Sequence, residues 1–370
     1  MKIKAAVLTA AHQPFEIQEI NLDTELRANE VLVKIVATGL CHTDLAVRDE
    51  HLPVPLPAIL GHEGAGIVEK IGSQVTKVQP GDHVVLAPSS CGSCHYCLSG
   101  HSSYCTEMFR LNTVGPRTDG SCPYHDEKGG PLGGFFFGQS SFGTYSLTSQ
   151  SNVVKVPVDV PVELLGPMGC GLQTGAGTVL NALQPKAGES IVIFGVGPVG
   201  LAGLMAAKAA GCTTIIAVDI HDNRLDFAKI LGATHTVNSK EQIPSAYIKE
   251  NILDEGVHYA MDTTGRNEVI NQAVHSLRAR GRCALVAVSG SEKLEVDNAA
   301  LFSGKSIEYV LEGDSTPDIF IPRLIALYKN GLFPFDKMIR FYELDDINKA
   351  VEDSEKGLTL KAIIKMPHGH

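Results

Sequence analysis

The stretch Ile191-Val192-Ile193-Phe194-Gly195-Val196-Gly197-Pro198-Val199-Gly200 is an apolar run followed by the pattern G-x-G-x-x-G. The run predicts a buried strand, and Leu201 to Ala210 continues with apolar residues at helical spacing, so the glycines fall in a strand-to-helix turn. In such a turn Gly195 allows the tight bend, Gly197 lets the backbone approach a pyrophosphate, and Gly200 lets the helix pack closely on the strand. Pro198 and Val199 open the helix, whose N-terminal N–H groups face the anion. Asp219 ends the next apolar run about twenty residues on, where a carboxylate would hold both hydroxyls of an adenosine ribose. A carboxylate there also repels a 2′-phosphate, which favours NAD over NADP. Arg224 is placed to flank the ribose or adenine, although an arginine can also accept that phosphate.

Outward from this loop, apolar runs of strand length alternate with helical stretches at 191–194, 201–210, 215–218, 224–231, 259–262 and 283–286. That rhythm predicts a parallel, doubly wound α/β sheet. Before about residue 160 the runs 31–36, 66–71 and 83–86 are β-branched and bounded by Gly, Pro and Asp, which predicts a mainly-β region. After residue 311 the rhythm breaks into a helix at 319–329, a Phe-rich segment, a helix at 345–355 and a strand-like run at 360–364. This tail is too small to fold alone and is expected to return to the first domain.

Composition restricts the partners. The chain has 370 residues with 31 Lys+Arg against 41 Asp+Glu, a formal net charge of −10, so no general basic field recruits nucleic acid or an anionic membrane. The apolar run near the N-terminus stops by Ala11, too short to export the chain or span a bilayer. Nine cysteines, an odd number and partly clustered, suit metal ligation in a reducing, cytoplasmic compartment better than a disulfide framework. His368 and His370 read as a solvated tail.

Cys91, Cys94, Cys97 and Cys105 place four thiols in one loop, with Gly92 and Gly100 permitting its turns. Four sulfur ligands with no open position describe a structural tetrahedral Zn²⁺ site. An iron–sulfur cluster is the rival, although its usual pattern continues with Cys-Pro and here Thr106 follows Cys105. A second set is Cys41, His62 and Cys170, each in a Gly-containing segment. Two Cys and one His with water in the fourth position is a catalytic zinc arrangement, but taken singly each residue is equally at home as a small buried side chain or a turn residue.

Gly61-His62-Glu63-Gly64-Ala65-Gly66, the four-cysteine lobe and the late G-x-G-x-x-G together resemble the zinc-dependent medium-chain alcohol dehydrogenases, over essentially the whole chain. Within that family the chain is most similar to the NAD-dependent aryl-alcohol (benzyl alcohol) dehydrogenases, notably at 134–142 and 320–325. The resemblance implies a GroES-like mainly-β catalytic domain over 1–171, a Rossmann NAD-binding domain over 172–310, and a return of 311–370 to the first. It implies one catalytic and one structural zinc per subunit, NAD as cofactor, and a homodimer or homotetramer built partly through edge strands near 283–288.

Carried over residue by residue, the resemblance makes Cys41, His62 and Cys170 the catalytic zinc ligands, with Glu63 a transient one and Asp44 the carboxylate that orients His62. Thr43 matches the hydroxyl that takes the alcohol proton. His42 and Lys361 match contacts to the cofactor phosphates, and Thr174 matches a residue lining the nicotinamide. Ala87, Phe136 and Phe137 align with substrate-pocket positions, and a small residue at 87 leaves room for a flat ring. One departure concerns the proton relay: where relatives often carry His this chain has Ala46, so the relay ends at water directly or by way of His51. The implied reaction is reversible oxidation of a primary aromatic alcohol to its aldehyde, with hydride passing to NAD. A glutathione-dependent formaldehyde dehydrogenase, a general primary alcohol dehydrogenase and a non-catalytic NAD-binding relative are the alternatives.

Overall fold

The computed structural model describes residues 1–113, 115–117, 119–287 and 293–368. They form two compact units: Met1–Cys170 with Thr316–Pro322 and Asp336–His370, and Gly171–Ser315 with Arg323–Phe335. The expected return of the whole of 311–370 to the first domain is corrected here, since 311–315 and 323–335 group with the second unit. The apolar face of the helix Pro317–Lys329 carries the buried residues Leu324 and Ile325, which gives its later part a core to join.

The first unit is mainly β. Its strands are β1 (Lys2–Leu8), β2 (Glu16–Leu22), β3 (Glu30–Gly39), β4 (Ala58–Ile59), β5 (Gly64–Ile71), β6 (His83–Leu86), β7 (Tyr124–His125), β8 (Tyr145–Ser149) and β9 (Val153–Lys155). The chain's later strands β16 (Ile339–Glu343) and β17 (Lys361–Lys365) join them, in sheet orders β4-β1-β2-β7 and β16-β17-β3-β5-β6-β9, with β8 also paired to β3. β3, Glu-Val-Leu-Val-Lys-Ile-Val-Ala-Thr-Gly, is buried along nearly its whole length because it is bordered by β5, β8 and β17. Val31, Val33 and Ile35 of β3 join Ile20, Ile59, Val68, Phe142 and Leu147 in one apolar core.

The register of β3 decides where the chemistry lies. Thr38 pairs with Gly64 and Gly39 pairs with Ile363, so the residues after Gly39, those before Gly64 and those at the start of β17 meet at one end of the sheet. Cys41, His62, Glu63 and Lys361 are those residues. Side chains alternate along a strand, so a one-residue slip at β3 would turn the core face outward, and burial on that face therefore fixes the assembly.

The second unit has six parallel strands, β10 (Ser190–Phe194), β11 (Thr214–Asp219), β12 (His235–Asn238), β13 (Val257–Asp262), β14 (Leu277–Leu285) and β15 (Ser306–Tyr309). They lie in the order β12-β11-β10-β13-β14-β15. The order reverses direction between β10 and β13, and a doubly wound sheet binds its ligand at such a switch point, beyond the carboxyl ends of the strands. The G-x-G-x-x-G segment leaves β10 at that point, and the helix Pro198–Ala209 follows, as its sequence predicts. The edge strand expected at 283–288 is corrected here: β14, which carries Cys283 to Leu285, lies between β13 and β15, and β15 is the edge; Val288 lies outside the described residues, as does His370.

One buried charge cluster braces the first unit. Arg117, 6% exposed, spans both oxygens of the equally buried Glu30 at 2.8 and 3.1 Å and reaches Asp23 at 2.9 Å, tying the segment around it to the start of β3. Removing one partner of a buried pair strands the other charge. Arg117→Ala is expected to destabilise the first unit by about 3–5 kcal/mol, measured as a lowered urea midpoint, and adding Glu30→Gln should restore part of the loss.

Candidate metal and dinucleotide sites

Cys41 follows β3 and caps the helix His42–Arg48, His62 and Glu63 directly precede β5, and Cys170 follows the short helical segment Gly166–Gly169. One ligand atom from each of these four residues lies within 4.8 Å of all the others. Asp44, fully buried, holds the arrangement from behind. Its Oδ1 accepts from His62 Nδ1 at 3.0 Å and from the Gly61 amide at 3.1 Å, while its Oδ2 accepts from the Cys41 amide at 3.0 Å. With Nδ1 donating to the carboxylate, Nε2 carries the imidazole lone pair, and this buried atom has no hydrogen-bond partner among the described residues. A bare imidazole nitrogen facing two thiols fits Zn²⁺, which Cys41, His62 and Cys170 could hold with Glu63 within reach. The Cys170 thiol, by hydrogen bonding, holds the Cys41 thiol well below its ordinary range; burial opposes this, and the nearby His62 and Lys361 reinforce it.

Two supports of this site have no local sequence signal. Gln139 is fully buried, its Oε1 accepting from the Gly64 amide and its Nε2 donating to the His62 carbonyl, both at 2.9 Å, so it clamps the backbone on both sides of Glu63. Lys361, which the resemblance also places at a cofactor phosphate, is buried at the metal-ligand cluster. Its Nζ lies 2.5 Å from Glu63 Oε2 and donates to the Leu40 carbonyl at 3.0 Å. Burial opposes its charge, but Glu63 and Cys41 keep its pKa above the ordinary lysine range. The pairing of β17 with β3 brings Lys361 there, and a register across so long a separation cannot be read from spacing.

In the four-cysteine lobe the Sγ atoms of Cys91, Cys94, Cys97 and Cys105 also lie within 4.8 Å of one another. Backbone amides already face the sulfurs: Ser93 and Cys94 donate to Cys91 Sγ at 3.4 and 3.3 Å, and Cys91 and Glu107 donate to Cys105 Sγ at 3.3 and 3.4 Å. The amides of Cys97 and Thr106 lower the Cys94 thiol to about 5, whereas burial and the neighbouring Cys94 push Cys97 up. Such donors favour thiolates, the form a closed zinc site requires.

The second unit has a cavity of about 660 Å³ at the carboxyl ends of β10 and β11, bordered by Gly195, Gly197, Asp219, Arg224, Thr263 and Arg266 among others. Gly195 has φ +81°, and a Cβ on Gly200 would lie 2.0 Å from the Gly195 carbonyl oxygen, so this turn accepts only glycine at both places. Asp219 Oδ2 accepts from the Val196 amide at 2.9 Å and Oδ1 from Ile220 and His221 at 2.8 and 3.0 Å, which fixes the carboxylate at the cavity wall. Arg224 Nη1 stands 3.8 Å from Asp219 Oδ2. Pro198 and Val199 begin the helix above this turn.

The remaining expected site residues divide. Thr43 is half-buried with its Oγ1 3.7 Å from Cys41 Sγ, at the metal-ligand cluster, whereas His42 and His51 are exposed. Thr174 is half-buried and donates to Glu312 Oε2 at 3.4 Å. Phe137 stacks on the His62 ring, centroids 4.7 Å apart, and Phe136 meets the same ring edge-on at 5.5 Å. Ala87 and Phe136 are core residues at 1% and 0% exposure, so of the three expected pocket positions only Phe137 is partly open. His368, expected in a solvated tail, is half-buried, bonded through Nε2 to the Ile35 carbonyl and packed edge-on against Tyr145.

Asp44→Asn should weaken zinc binding at the Cys41, His62, Cys170 set about 10–100-fold, read by competition with a chromophoric chelator, with the four-cysteine lobe keeping its metal. Cys105→Ser should have the complementary effect, releasing the lobe's zinc and lowering the thermal midpoint while the open set retains its affinity.

Comparison with known proteins agrees with this geometry. Residues 27–158 match the family described as alcohol dehydrogenase GroES-like domain, and residues 198–328 match that described as zinc-binding dehydrogenase. A geraniol dehydrogenase of Castellaniella defragrans is 39% identical over 364 residues, covering 98% of this chain and 97% of that protein. The crystal structure of benzyl alcohol dehydrogenase from Acinetobacter calcoaceticus matches with a TM-score of 0.95 at 48% identity, covering 99% of this chain and 100% of that one. An alcohol dehydrogenase zinc-binding domain protein from Burkholderia ambifaria matches with a TM-score of 0.97 at 48% identity, covering 100% of both chains. With the expected GroES-like and Rossmann folds both present and both zinc-ligand sets assembled, the chain belongs to the zinc-dependent medium-chain alcohol dehydrogenase family.

Proposed function

We propose that this protein oxidises primary aromatic, benzyl-type alcohols to aldehydes with NAD as hydride acceptor. The observation that carries the reading is the 48% identity, over nearly the full length, to a benzyl alcohol dehydrogenase. The aromatic pair Phe136 and Phe137, packed on the metal-ligand imidazole, supports it by giving the surroundings of the site an apolar, π-rich character. A second reading, an allylic primary alcohol such as geraniol, is favoured by the 39% identity to a geraniol dehydrogenase. The two substrates share a primary hydroxyl next to an unsaturated carbon.

Zinc held by Cys41, His62 and Cys170 would supply Lewis acidity that makes an alcohol hydroxyl acidic near neutrality, and the dinucleotide would supply the hydride acceptor. The chain does the rest. Asp44 fixes the tautomer and orientation of His62. Thr43, at the ligand cluster, receives the substrate proton on its hydroxyl oxygen and passes its own on toward water, since Ala46 offers no imidazole. Phe137 covers one face of His62 and excludes water from it. Asp219 would hold the adenosine ribose hydroxyls and disfavour a 2′-phosphate, which makes NAD the preferred dinucleotide. Assembly as a homodimer or homotetramer belongs to the same reading: β15 is an edge strand of its sheet and exposes Tyr309. So does a cytoplasmic location; no helix among the described residues is long and apolar enough to cross a membrane.

The deciding measurement is the initial rate of NADH formation by zinc-replete protein with benzyl alcohol, geraniol, and formaldehyde plus glutathione. The expected order puts benzyl alcohol first with no effect of glutathione; geraniol first would make the allylic reading the correct one, and activity only with the glutathione adduct would overturn both. Thr43→Val should lower kcat about 10²–10⁴-fold, while NADH affinity measured by fluorescence titration stays unchanged.

A further inference from the structure

The loop that sets Phe137 on the His62 ring has a backbone its own residues do not favour. Phe135, Phe137 and Ser140 have φ of +61°, +48° and +53°, and Gly138, between the last two, has +68°. A left-handed conformation is unfavourable for a phenylalanine, so the surroundings enforce it. Gly138 shows how closely: a Cβ there would lie 2.1 Å from Ser89 Oγ and 2.2 Å from Asn152 Nδ2. Thr148 Oγ1 donates to the Gly138 carbonyl at 2.7 Å, and Asn152 Nδ2 donates to the Phe137 carbonyl at 3.4 Å.

Asn152 is fully buried and has no freedom to turn. Its Nδ2 also donates to the Ala87 carbonyl at 3.1 Å and to Ser89 Oγ at 2.6 Å, and its backbone carbonyl accepts from the Ala87 amide at 2.9 Å. Carbonyl oxygens only accept, so the side-chain nitrogen must face Ala87 and Phe137. That nitrogen only donates, so the Ser89 hydroxyl oxygen is its acceptor.

Ser89 is in turn held at the neck of the cysteine lobe. It stands two residues before Cys91, and Asn112 ends the short helix Met108–Asn112 that follows Cys105. Asn112 Oδ1 accepts from the Ser89 amide at 2.8 Å, while its Nδ2 donates to the carbonyls of Ser89 at 2.9 Å and Met108 at 2.8 Å. Ser89 and Asn112 are both buried, and backbone partners fix this amide as well. Asn112 thereby closes the two ends of the lobe on each other. A line of buried polar contacts then runs from the neck through Ser89 and Asn152 to the Phe137 carbonyl, and the Phe137 ring stacks on His62. Breaking a link strands a buried donor, which favours movement of the whole line as a unit.

We propose that Asn152 is a positioning residue that holds Phe137 on the His62 ring, and that through Ser89 and Asn112 the closure of the cysteine lobe on its metal governs this placement and, with it, selectivity between flat and small alcohols. The lobe, whose sulfurs take no part in the reaction, then has a task beyond stability. The selectivity clause rests on the benzyl-alcohol reading; the coupling of lobe to loop does not. Asp44 holds His62 independently through Nδ1, so the zinc affinity of the open set is expected to stay unchanged.

The test follows hydrogen–deuterium exchange of the Gly138, Gln139 and Ser140 amides, which bond to the Phe135 and Phe136 carbonyls within the loop. Beside it stands the ratio of kcat/KM for benzyl alcohol to that for ethanol. Both are measured on full-length, zinc-loaded wild type, Ser89→Ala, Asn152→Ala, Cys105→Ser and the double variant Cys105→Ser/Asn152→Ala. Ser89→Ala removes a single hydroxyl and keeps the Asn112 clamp on the backbone, so it cuts the line without threatening the fold. The expected result is exchange about tenfold faster at these amides in each single variant, with exchange along β1 unchanged. The ratio should fall about tenfold, and the double variant should exchange no faster than Asn152→Ala alone. Wild-type exchange at 138–140 in Cys105→Ser or Ser89→Ala would overturn the proposal. So would equal acceleration along β1, which marks general loosening, additive effects in the double variant, or an unaltered ratio beside faster exchange. A wild type inactive on both alcohols would sink the benzyl-alcohol reading and the selectivity clause, and exchange alone would then decide the coupling.

Discussion

Asp44 is an ionisable side chain with no solvent exposure, and its two oxygens take the His62 ring, the Gly61 amide and the Cys41 amide. A buried carboxylate is tolerated only when its lone pairs are used, so each of these donors is obligatory. Two of the three chain segments that supply candidate metal ligands are consequently fastened to one group before any metal is considered. The imidazole tautomer, the direction of Nε2 and the spacing of the first two ligands all descend from that single satisfied charge.

Around it the site is completed by elements distant in sequence. The register of β3 against β5 and β17 sets Cys41, His62 and Lys361 at one end of a sheet, and Gln139 clips the backbone on both sides of Glu63. These supports are rigid and buried, as a site that must hold its ligands to a fraction of an ångström requires. The second unit follows the same principle with different means: glycines at the turn after β10 and amides on Asp219 fix a cavity wall without any long side chain.

What could be read in the sequence was whatever is encoded locally. The alternation of strands and helices from Ser190 onward, the turn at Gly195–Gly200 with Asp219 after it, and four cysteines within one loop each depend on short-range spacing, and each stands in the structure where spacing put it. The open set at Cys41, His62 and Cys170 was ambiguous residue by residue and needed a family resemblance, because no local pattern joins positions so far apart. Lys361 was named through the resemblance alone, and its contact with Glu63 has no local signal because strand pairing makes it. Ala87 and Phe136 were placed in the pocket by the resemblance, and their burial has no signal in side-chain type. Gln139 carried no signal: it is an ordinary amide until its two backbone partners are known.

The two metal-ligand sets differ in how much chain must be organised before they exist. The cysteine lobe closes on itself within residues 91–105, and its sulfurs are already met by amides of the same loop. The open set draws on residues from Cys41 to Cys170 and exists only after β3, β5 and β6 have paired. Local contacts form early in folding and distant ones late. The molecule therefore imposes an order on its own metallation: the lobe can capture an ion while the rest of the chain is still being assembled, and the open set can fill only once the strands around it have paired, so an ion at the second site reports a finished first unit.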